Sequence, residues 1–202
     1  MNEADYKKPD YTTSHVSSWL ETLGHLAGKK AYGIEIGCLE GRSSVWFLEN
    51  ILTHDNSGLV CIDPWSIPGT EETFDEVTRK WQSDFPAPSK LSKRKGLSYQ
   101  CLREMPLNSF DFVYIDGCHQ AANVIEDAVL SFRLLKKFGV MIFDDYPWDN
   151  GVVYQPPAKA IDAFLFLYAD RIELLHKDWQ VAVVKMGDWA DATQDDRNLS
   201  SR

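Results

Sequence analysis

The sequence predicts an α/β protein with a doubly wound, mostly parallel sheet and one antiparallel strand near the C-terminus. Short apolar, β-prone runs alternate with amphipathic helical patterns, which is typical of a parallel sheet covered by helices. The last two apolar runs are joined by a tight turn and therefore form an antiparallel hairpin. The length predicts a single domain over 1–186, with an N-terminal helix at about 14–27, a core over 31–185 and a polar, disordered tail over 187–202.

The elements follow in a regular order. The first helix is expected to begin at Ser14, a suitable cap, because apolar residues then recur at helical spacing until Gly28. Pro157 suits the first turn of the last helix. The predicted helix over 71–82 is followed by a Pro-rich segment that reaches residue 88. Strands are predicted at 31–36, 59–62, 90–95, 110–116, 139–143, 172–175 and 179–185, and the later helices at 43–52, 71–82, 98–105, 121–137 and 157–169.

Charge and composition narrow the possible functions. The formal net charge is −9, which disfavours nonspecific binding to nucleic acid or to an anionic membrane. The basic cluster within 90–95 is interpreted as solvated rather than as a phosphate site. No apolar run is long enough to span a bilayer and the first ten residues are too polar for a targeting peptide, so a cytoplasmic protein is expected. The four cysteines contain no Cys-x-x-Cys pair and are predicted to be reduced thiols.

The turn after the first strand carries the most specific local signal. Residues 35–43 read EIGCLEGRS, a strand that turns sharply into a helix, with glycines where backbone must approach a ligand closely. The spacing of Gly37 and Gly41 differs from Gly-x-Gly-x-x-Gly, and Glu35 would repel a pyrophosphate but attract an ammonium group. The turn therefore favours a zwitterionic, adenosine-bearing cofactor over a dinucleotide. The alternative is that these glycines serve the turn for steric reasons alone.

Several predicted strands end in carboxylates, which would repel one another at one sheet edge unless a cation or a sugar hydroxyl lay among them. Asp63 ends the second strand, where it could accept two hydrogen bonds from a ribose; the alternative is an ordinary turn aspartate before proline. Asp116, Asp144 and Asp145 end neighbouring strands and offer oxygen ligands for Mg²⁺. The alternative for Asp144 and Asp145 is that they only cap the next turn.

His119 follows Asp116 by three residues and is the best candidate for a general base. An imidazole beside a metal site could accept a proton from a substrate hydroxyl. A histidine ahead of a helix can equally be a capping or surface residue. Nothing in the sequence marks the adjacent Cys118 as an activated nucleophile.

Taken in order, these motifs resemble class I S-adenosylmethionine-dependent methyltransferases. Within that family the sequence is most similar to small O-methyltransferases of the catechol and caffeoyl-CoA type and to macrocin-type sugar O-methyltransferases. The resemblance spans about 31–185 and implies a Rossmann-like fold. It rests on Glu35-x-Gly37-x-x-x-Gly41-x-Ser43, Asp63, Gly96-x-Ser98, Asp116-Gly117-x-His119 and Asp144-Asp145.

The resemblance also implies roles for single residues. The methionine portion of S-adenosylmethionine would be held by the first motif, the ribose by Asp63, and the adenine by Pro64 and Ser98. Asp116 would lie beside the cofactor and contribute to catalysis with His119. The implied cofactor-binding residues are Glu35, Gly37, Gly41, Ser43, Asp63, Pro64, Ser98 and Asp116, and the implied Mg²⁺ ligands are Asp116, Asp144 and Asp145.

The expected function is divalent-metal-assisted methylation of a hydroxyl on a small diol, catechol or sugar. His119 stands where catechol-type enzymes have a lysine base, and Cys118 where macrocin-type enzymes have an aspartate. Three alternatives stay open: a metal-independent methyltransferase for another acceptor, a catalytically silent relative that binds the cofactor or a partner protein, and a nicotinamide dehydrogenase, which the glycine spacing disfavours. The sequence leaves a homodimer open. Aromatic residues on the loops, such as Trp65, Trp81 and Trp148, could cover an acceptor or only pack the loops.

Overall fold

The computed structural model describes residues 5–85, 90–149, 151 and 155–187 of the chain. Its strands are β1 (Tyr32–Ile36), β2 (Gly58–Asp63), β3 (Leu91–Lys95), β4 (Phe110–Ile115), β5 (Leu135–Phe143), β6 (Ile172–Lys177) and β7 (Val181–Lys185). They form one sheet in the order β3-β2-β1-β4-β5-β7-β6, in which β7 is antiparallel to both of its neighbours and β1 to β5 are parallel. The predicted fold class is therefore confirmed.

Helices cover both faces of the sheet. They are α1 (Val16–Leu23), α2 (Arg42–Asn50), α3 (Thr70–Asp84), α4 (Ser98–Arg103), α5 (Ala121–Leu134) and α6 (Pro157–Leu167). Because successive strand side chains point to opposite faces, Phe112 and Tyr114 of β4 pack with α1 to α3, while Val113 packs with α4 to α6. A separate hydrophobic core therefore lies on each face of the sheet.

The junction between α5 and β5 corrects the predicted helix over 121–137. The helix ends at Leu134 and the strand begins at Leu135 without a loop, because Leu135 is extended and fully buried. The Lys185 ammonium, itself buried, donates to the carbonyl oxygens of Phe132 (3.1 Å) and Leu135 (2.7 Å) and to Asn108 Oδ1 (2.9 Å). A buried cation thus satisfies carbonyls that would otherwise end the helix unpaired.

The N-terminal region also differs from the prediction. Short 3₁₀ turns at Thr13–His15 and Gly24–Leu26 flank α1, so residues 14–27 do not form one α-helix. Ser14 does not act as the cap; instead Asp10 Oδ1 accepts hydrogen bonds from the backbone N–H groups of Thr12 (2.8 Å) and Thr13 (3.0 Å). The Asp10 carboxylate accepts hydrogen bonds from the backbone N–H groups at the start of the first turn, as a capping residue does.

The basic cluster within 90–95 is not simply solvated, which corrects its interpretation. Lys90 is buried and donates to the carbonyl oxygens of Leu52 and Thr53, while Lys93 forms ion pairs with Glu71 and Asp75 of α3.

The other predicted helices and strands are present, with ends that differ by a few residues from the prediction. The predicted tail beyond 187 and the Pro-rich exit at 86–88 lie outside the described residues, and the single domain stays a prediction. Within the described part, no helix is long and apolar enough to cross a membrane.

Candidate active site

The turns that follow β1 and β4 lie against each other at the carboxyl edge of the sheet, where the strand order reverses. Gly37 has a φ of +88°, and a Cβ there would overlap the carbonyl oxygen of Asp116 and lie 2.8 Å from Gly117 Cα. The backbone N–H of Gly37 donates to Ile62 O (2.9 Å). Only glycine allows both the left-handed turn and this close approach. Such a switch point is the usual ligand-binding position in open α/β sheets.

The Glu35 carboxylate lies beneath this turn and is fully buried. It accepts hydrogen bonds from the hydroxyl groups of Ser43 and Ser44 in the first turn of α2. Burial raises the pKa of Glu35 to about 7, although both hydroxyl groups stabilise its charged form. Glu35 therefore ties β1 to α2, and Ser43 is oriented by the same contact.

Asp63 holds the glycine turn from the neighbouring strand. Its Oδ2 accepts hydrogen bonds from the backbone N–H groups of Cys38 (2.9 Å) and Leu39 (3.0 Å). Its Oδ1 accepts one from the N–H of Trp65 (2.6 Å), two residues further on. Pro64, between them, is exposed. A carboxylate offers about four acceptor positions, so one position remains for another donor.

Asp116, Asp145 and His119 converge at the ends of β4 and β5. One ligand atom from each lies within 4.8 Å of the others, and His119 Nε2 is 2.8 Å from Asp145 Oδ2. Burial, together with the neighbouring carboxylates of Asp144 and Asp145, raises the pKa of Asp116 well above its usual range. Two carboxylates and an imidazole at these distances are a donor set that suits a divalent cation.

The carboxylate of Asp144 has hydrogen-bond partners of its own beside this cluster. Its Oδ2 accepts a hydrogen bond from the Tyr114 hydroxyl and lies 3.8 Å from His15 Nε2, and its Oδ1 accepts the backbone N–H of Asp145 (2.7 Å). Asp145 has a φ of +57°, so the two adjacent carboxylates point in different directions. The sequence grouped Asp144 with Asp116 and Asp145. The structure brings His119 to Asp116 and Asp145 as well, and the Asp144 carboxylate is close enough to raise the pKa of Asp116.

Ser98 stands at the start of α4, beyond β3. Its hydroxyl group donates a hydrogen bond to the buried carboxylate of Asp127 in α5, and burial raises the pKa of Asp127 to about 6. This contact joins the loop after β3 to the helix after β4. Ser98 is therefore held at the sheet edge, close to where Asp63 ends β2.

A narrow cleft, with about 60 Å³ of solvent-accessible space, lies over the glycine turn. Its floor includes Gly37, Leu39, Ser43 and Asp116, and its other wall is formed by the N-terminal residues 6–12. The cleft therefore joins the turn after β1 to the carboxylate cluster. It is the place where a small cofactor would contact both.

Comparison with known families identifies this architecture. A family model described as "Methyltransferase domain" matches residues 34–146, which is more than half of the chain and includes the cleft floor and the carboxylate cluster. The chain belongs to this methyltransferase family. The matched region begins within β1 and ends just after the Asp144-Asp145 pair, so it contains most of the residues that the sequence singled out.

One curated relative and two solved structures are similar to this methyltransferase. An uncharacterized protein of Acanthamoeba polyphaga mimivirus is 34% identical over 118 residues; the alignment covers 56% of this chain and 50% of the viral protein, so the chain spans about half of that relative. An O-methyltransferase from Bacillus cereus in complex with SAH has 19% identity and a TM-score of 0.63 (90% of this chain, 86% of the other). The O-methyltransferase TomG from Streptomyces achromogenes, in complex with SAM, has 17% identity and a TM-score of 0.66 (89% and 83%). These two structures share the fold of this methyltransferase.

The sequence interpretation missed several residues of the site. Tyr114 bridges two of the acids, since its hydroxyl also lies 3.3 Å from Asp116 Oδ2, and the run that contains it looked merely apolar. His15 approaches from the 3₁₀ turn before α1 and is too distant in sequence to be connected with the site. Of the aromatic residues expected on loops, Trp65 is buried, and Trp81 belongs to α3 and is buried as well. Trp148 lies beside His119 with ring centroids 4.6 Å apart.

Proposed function

We propose that this methyltransferase uses S-adenosylmethionine to methylate a hydroxyl group of a small diol, catechol or sugar. The observation that carries the proposal is that Asp116, which lines the cleft over the glycine turn, also belongs to the cluster with His119 and Asp145. A cofactor lying in that cleft would present its methyl group close to a proton acceptor and two carboxylates. The proposal goes beyond the family match, which gives methyl transfer without an acceptor.

The cleft residues fit such a cofactor. Gly37, Gly41 and Ser43 line or border the space for its methionine portion, with Glu35 orienting Ser43 from below. Asp63 keeps one acceptor position, which supports one hydrogen bond from a ribose hydroxyl. Pro64 and Ser98, which lie outside the residues that line the cleft, would contact the adenine. S-adenosylmethionine would supply a methyl group on a sulfonium, an electrophile that needs alignment and removal of the acceptor's proton.

The carboxylate cluster also fits a divalent cation such as Mg²⁺. Asp116 and Asp145 would hold it, with Asp144 as the predicted third carboxylate. A bound cation would lower the pKa of an acceptor hydroxyl and hold two acceptor oxygens at once. That chemistry favours a vicinal diol or a catechol.

His119 would accept the proton of the acceptor hydroxyl. The Asp145 carboxylate, 2.8 Å away, fixes the orientation of the imidazole ring. The ring of Trp148 lies tilted beside it and offers a face for a flat ring or a sugar. Half-exposure of the His119 side chain leaves room for a small acceptor to approach.

Calorimetry and methyl-transfer assays test the proposal. The wild type should bind SAH but not NAD, and should methylate a catechol or a vicinal diol with Mg²⁺ and lose that activity in EDTA. His119→Ala should lower turnover by about 10²–10⁴-fold while SAH affinity is unchanged, and His25→Ala, an exposed histidine in the 3₁₀ turn after α1, should change neither. Binding of NAD without binding of SAH would overturn the proposed cofactor. Full activity of His119→Ala would overturn the proposed role of His119 as the base, and activity in EDTA would overturn the proposed metal dependence.

A further inference from the structure

The N-terminal segment 5–12, here called the strap, crosses the cleft above the glycine turn. Tyr6, Lys8, Pro9, Tyr11 and Thr12 line the cleft from the strap side. The family match begins only at residue 34, so the strap lies outside it. One wall of the candidate cofactor site is therefore built by a part of this chain that the family model does not contain.

Polar contacts hold the strap against the turn. Glu40 lies inside the glycine turn and is only 3% exposed, and its Oε2 accepts the backbone N–H groups of Lys7 and Lys8, both at 2.9 Å. A buried carboxylate without such donors would be strongly destabilising, so these two amides are the reason that an acid is tolerated there. Arg42 lies over the ring of Tyr6 (4.1 Å) and 3.6 Å from Asp10, which fixes the strap on either side of Lys8.

The charged side chains that line the cleft indicate how the strap could contact a cofactor. The amino-acid end of S-adenosylmethionine carries a carboxylate, yet the sheet side of the cleft presents Asp116 and Glu40. Among the described residues that line the cleft, the cations are Lys8 and Arg42, and Arg42 already contacts Asp10 and the Tyr6 ring. Lys8 is thus the cation best placed for an incoming carboxylate, and Glu40 fixes its backbone.

We propose that Lys8 binds the carboxylate of the cofactor's amino-acid end, and that Glu40 is the positioning residue that keeps the strap, and with it Lys8, over the cleft. This inference rests on the proposed cofactor. It assigns to residues 5–12 a direct part in cofactor recognition and explains why an acid occupies position 40 of a turn that faces an anionic group. The strap must move for the cofactor to enter or leave, so its contacts also slow cofactor release.

Two ligands separate this role from a general effect on the fold. SAH carries the amino-acid end, and 5′-methylthioadenosine has the same adenosine and thioether without it. Lys8→Met should weaken SAH binding about tenfold or more and leave methylthioadenosine binding unchanged, as measured by calorimetry. Lys7→Met is the matched control, because the Lys7 side chain is not among the residues that line the cleft, and it should change neither affinity.

Glu40 is tested in the same assay and by proteolysis. Glu40→Leu removes the acceptor and should weaken SAH but not methylthioadenosine, while Glu40→Gln keeps an acceptor oxygen and should restore most of the affinity. Trypsin should cleave after Lys7 faster in Glu40→Leu than in the wild type, and SAH should protect the wild type. Equal loss of both ligands in Lys8→Met, or no loss of SAH, would overturn the inference alone; a wild type that binds neither ligand would overturn the proposed cofactor and the inference with it.

Discussion

Alanine at position 37 should damage this protein more than alanine at position 28. Both glycines have positive φ, +88° and +75°, which costs an L-residue about 1–2 kcal/mol. A Cβ at Gly28 would meet no atom within 4 Å, whereas at Gly37 it would overlap the Asp116 carbonyl oxygen. Relieving that overlap should add roughly 1–3 kcal/mol, as overpacking does. The expected losses in the free energy of unfolding are therefore about 2–5 kcal/mol for Gly37→Ala and about 1–2 kcal/mol for Gly28→Ala.

Urea denaturation of both variants measures this difference, and SAH calorimetry measures its effect on the site. In a chain of this length each kcal/mol lowers the melting temperature by about 2–4 °C, so thermal melts give a second estimate. Gly37→Ala should also lose SAH affinity, because the turns after β1 and β4 must separate, whereas Gly28→Ala should retain it. If the two variants were equally stable and bound SAH equally well, close approach at Gly37 would not be what the site requires.

Three further predictions concern charged side chains that the fold surrounds with hydrogen-bond partners. Lys185→Met should lower the free energy of unfolding, measured in urea, by about 2–4 kcal/mol, because three oxygen acceptors lose their donor. Lys29 is exposed, and Lys29→Met should change this free energy little. Equal effects of the two substitutions would contradict the capping role of Lys185. Burial raises the pKa of Glu35 to about 7, so the native protein retains a proton that the unfolded chain releases, and stability should fall by up to roughly 3 kcal/mol as the pH rises from about 4.5 to 7. Glu35→Gln should flatten that fall between urea midpoints at pH 5 and pH 8, and an unchanged slope would show that Glu35 does not cause it. Asp63→Asn should weaken SAH binding about tenfold in calorimetry, because an amide cannot replace both carboxylate oxygens as acceptors. Asp55 is exposed, and Asp55→Asn should leave SAH binding intact. Retained affinity in Asp63→Asn would show that the glycine turn does not depend on the hydrogen bonds that Asp63 accepts.

The order of strands and helices could be predicted because each element carries its own local pattern. The junction at residues 134–135 could not, because helical periodicity continues to Lys137 and the group that ends the helix is Lys185, 50 residues further along the chain. The start of α1 failed for a similar reason. Ser14 is a good cap in isolation, but Asp10 lies one turn earlier and meets the free N–H groups first. Local preference was outweighed by groups that only the fold brings close.

The sequence also indicated which strand ends would meet, because parallel strands bring their carboxyl ends to one edge. It could not indicate where each side chain points. Asp144 and Asp145 are neighbours in the chain, yet the left-handed backbone at Asp145 directs one carboxylate to Tyr114 and the other to His119. The position of the strap could not be predicted from the sequence either. It depends on one buried acid, Glu40, whose hydrogen-bond partners are backbone amides, and such partners produce no pattern of side chains in a sequence.

The strand-end acids predicted an excess of negative charge at this edge, and the structure distributes that excess unevenly. Glu35 is matched by two hydroxyl groups, Asp63 by three backbone amides, and Asp144 by a hydroxyl and an amide. These neutral donors stabilise the carboxylates without needing a ligand. Asp116 and Asp145 lack such a set of neutral donors: their partners are a long hydrogen bond from Tyr114 and the imidazole of His119, and burial with the neighbouring carboxylates raises the pKa of Asp116. A cationic ligand is therefore most favoured between those two carboxylates, where the cleft ends and where a sulfonium or a divalent ion would gain most from being bound.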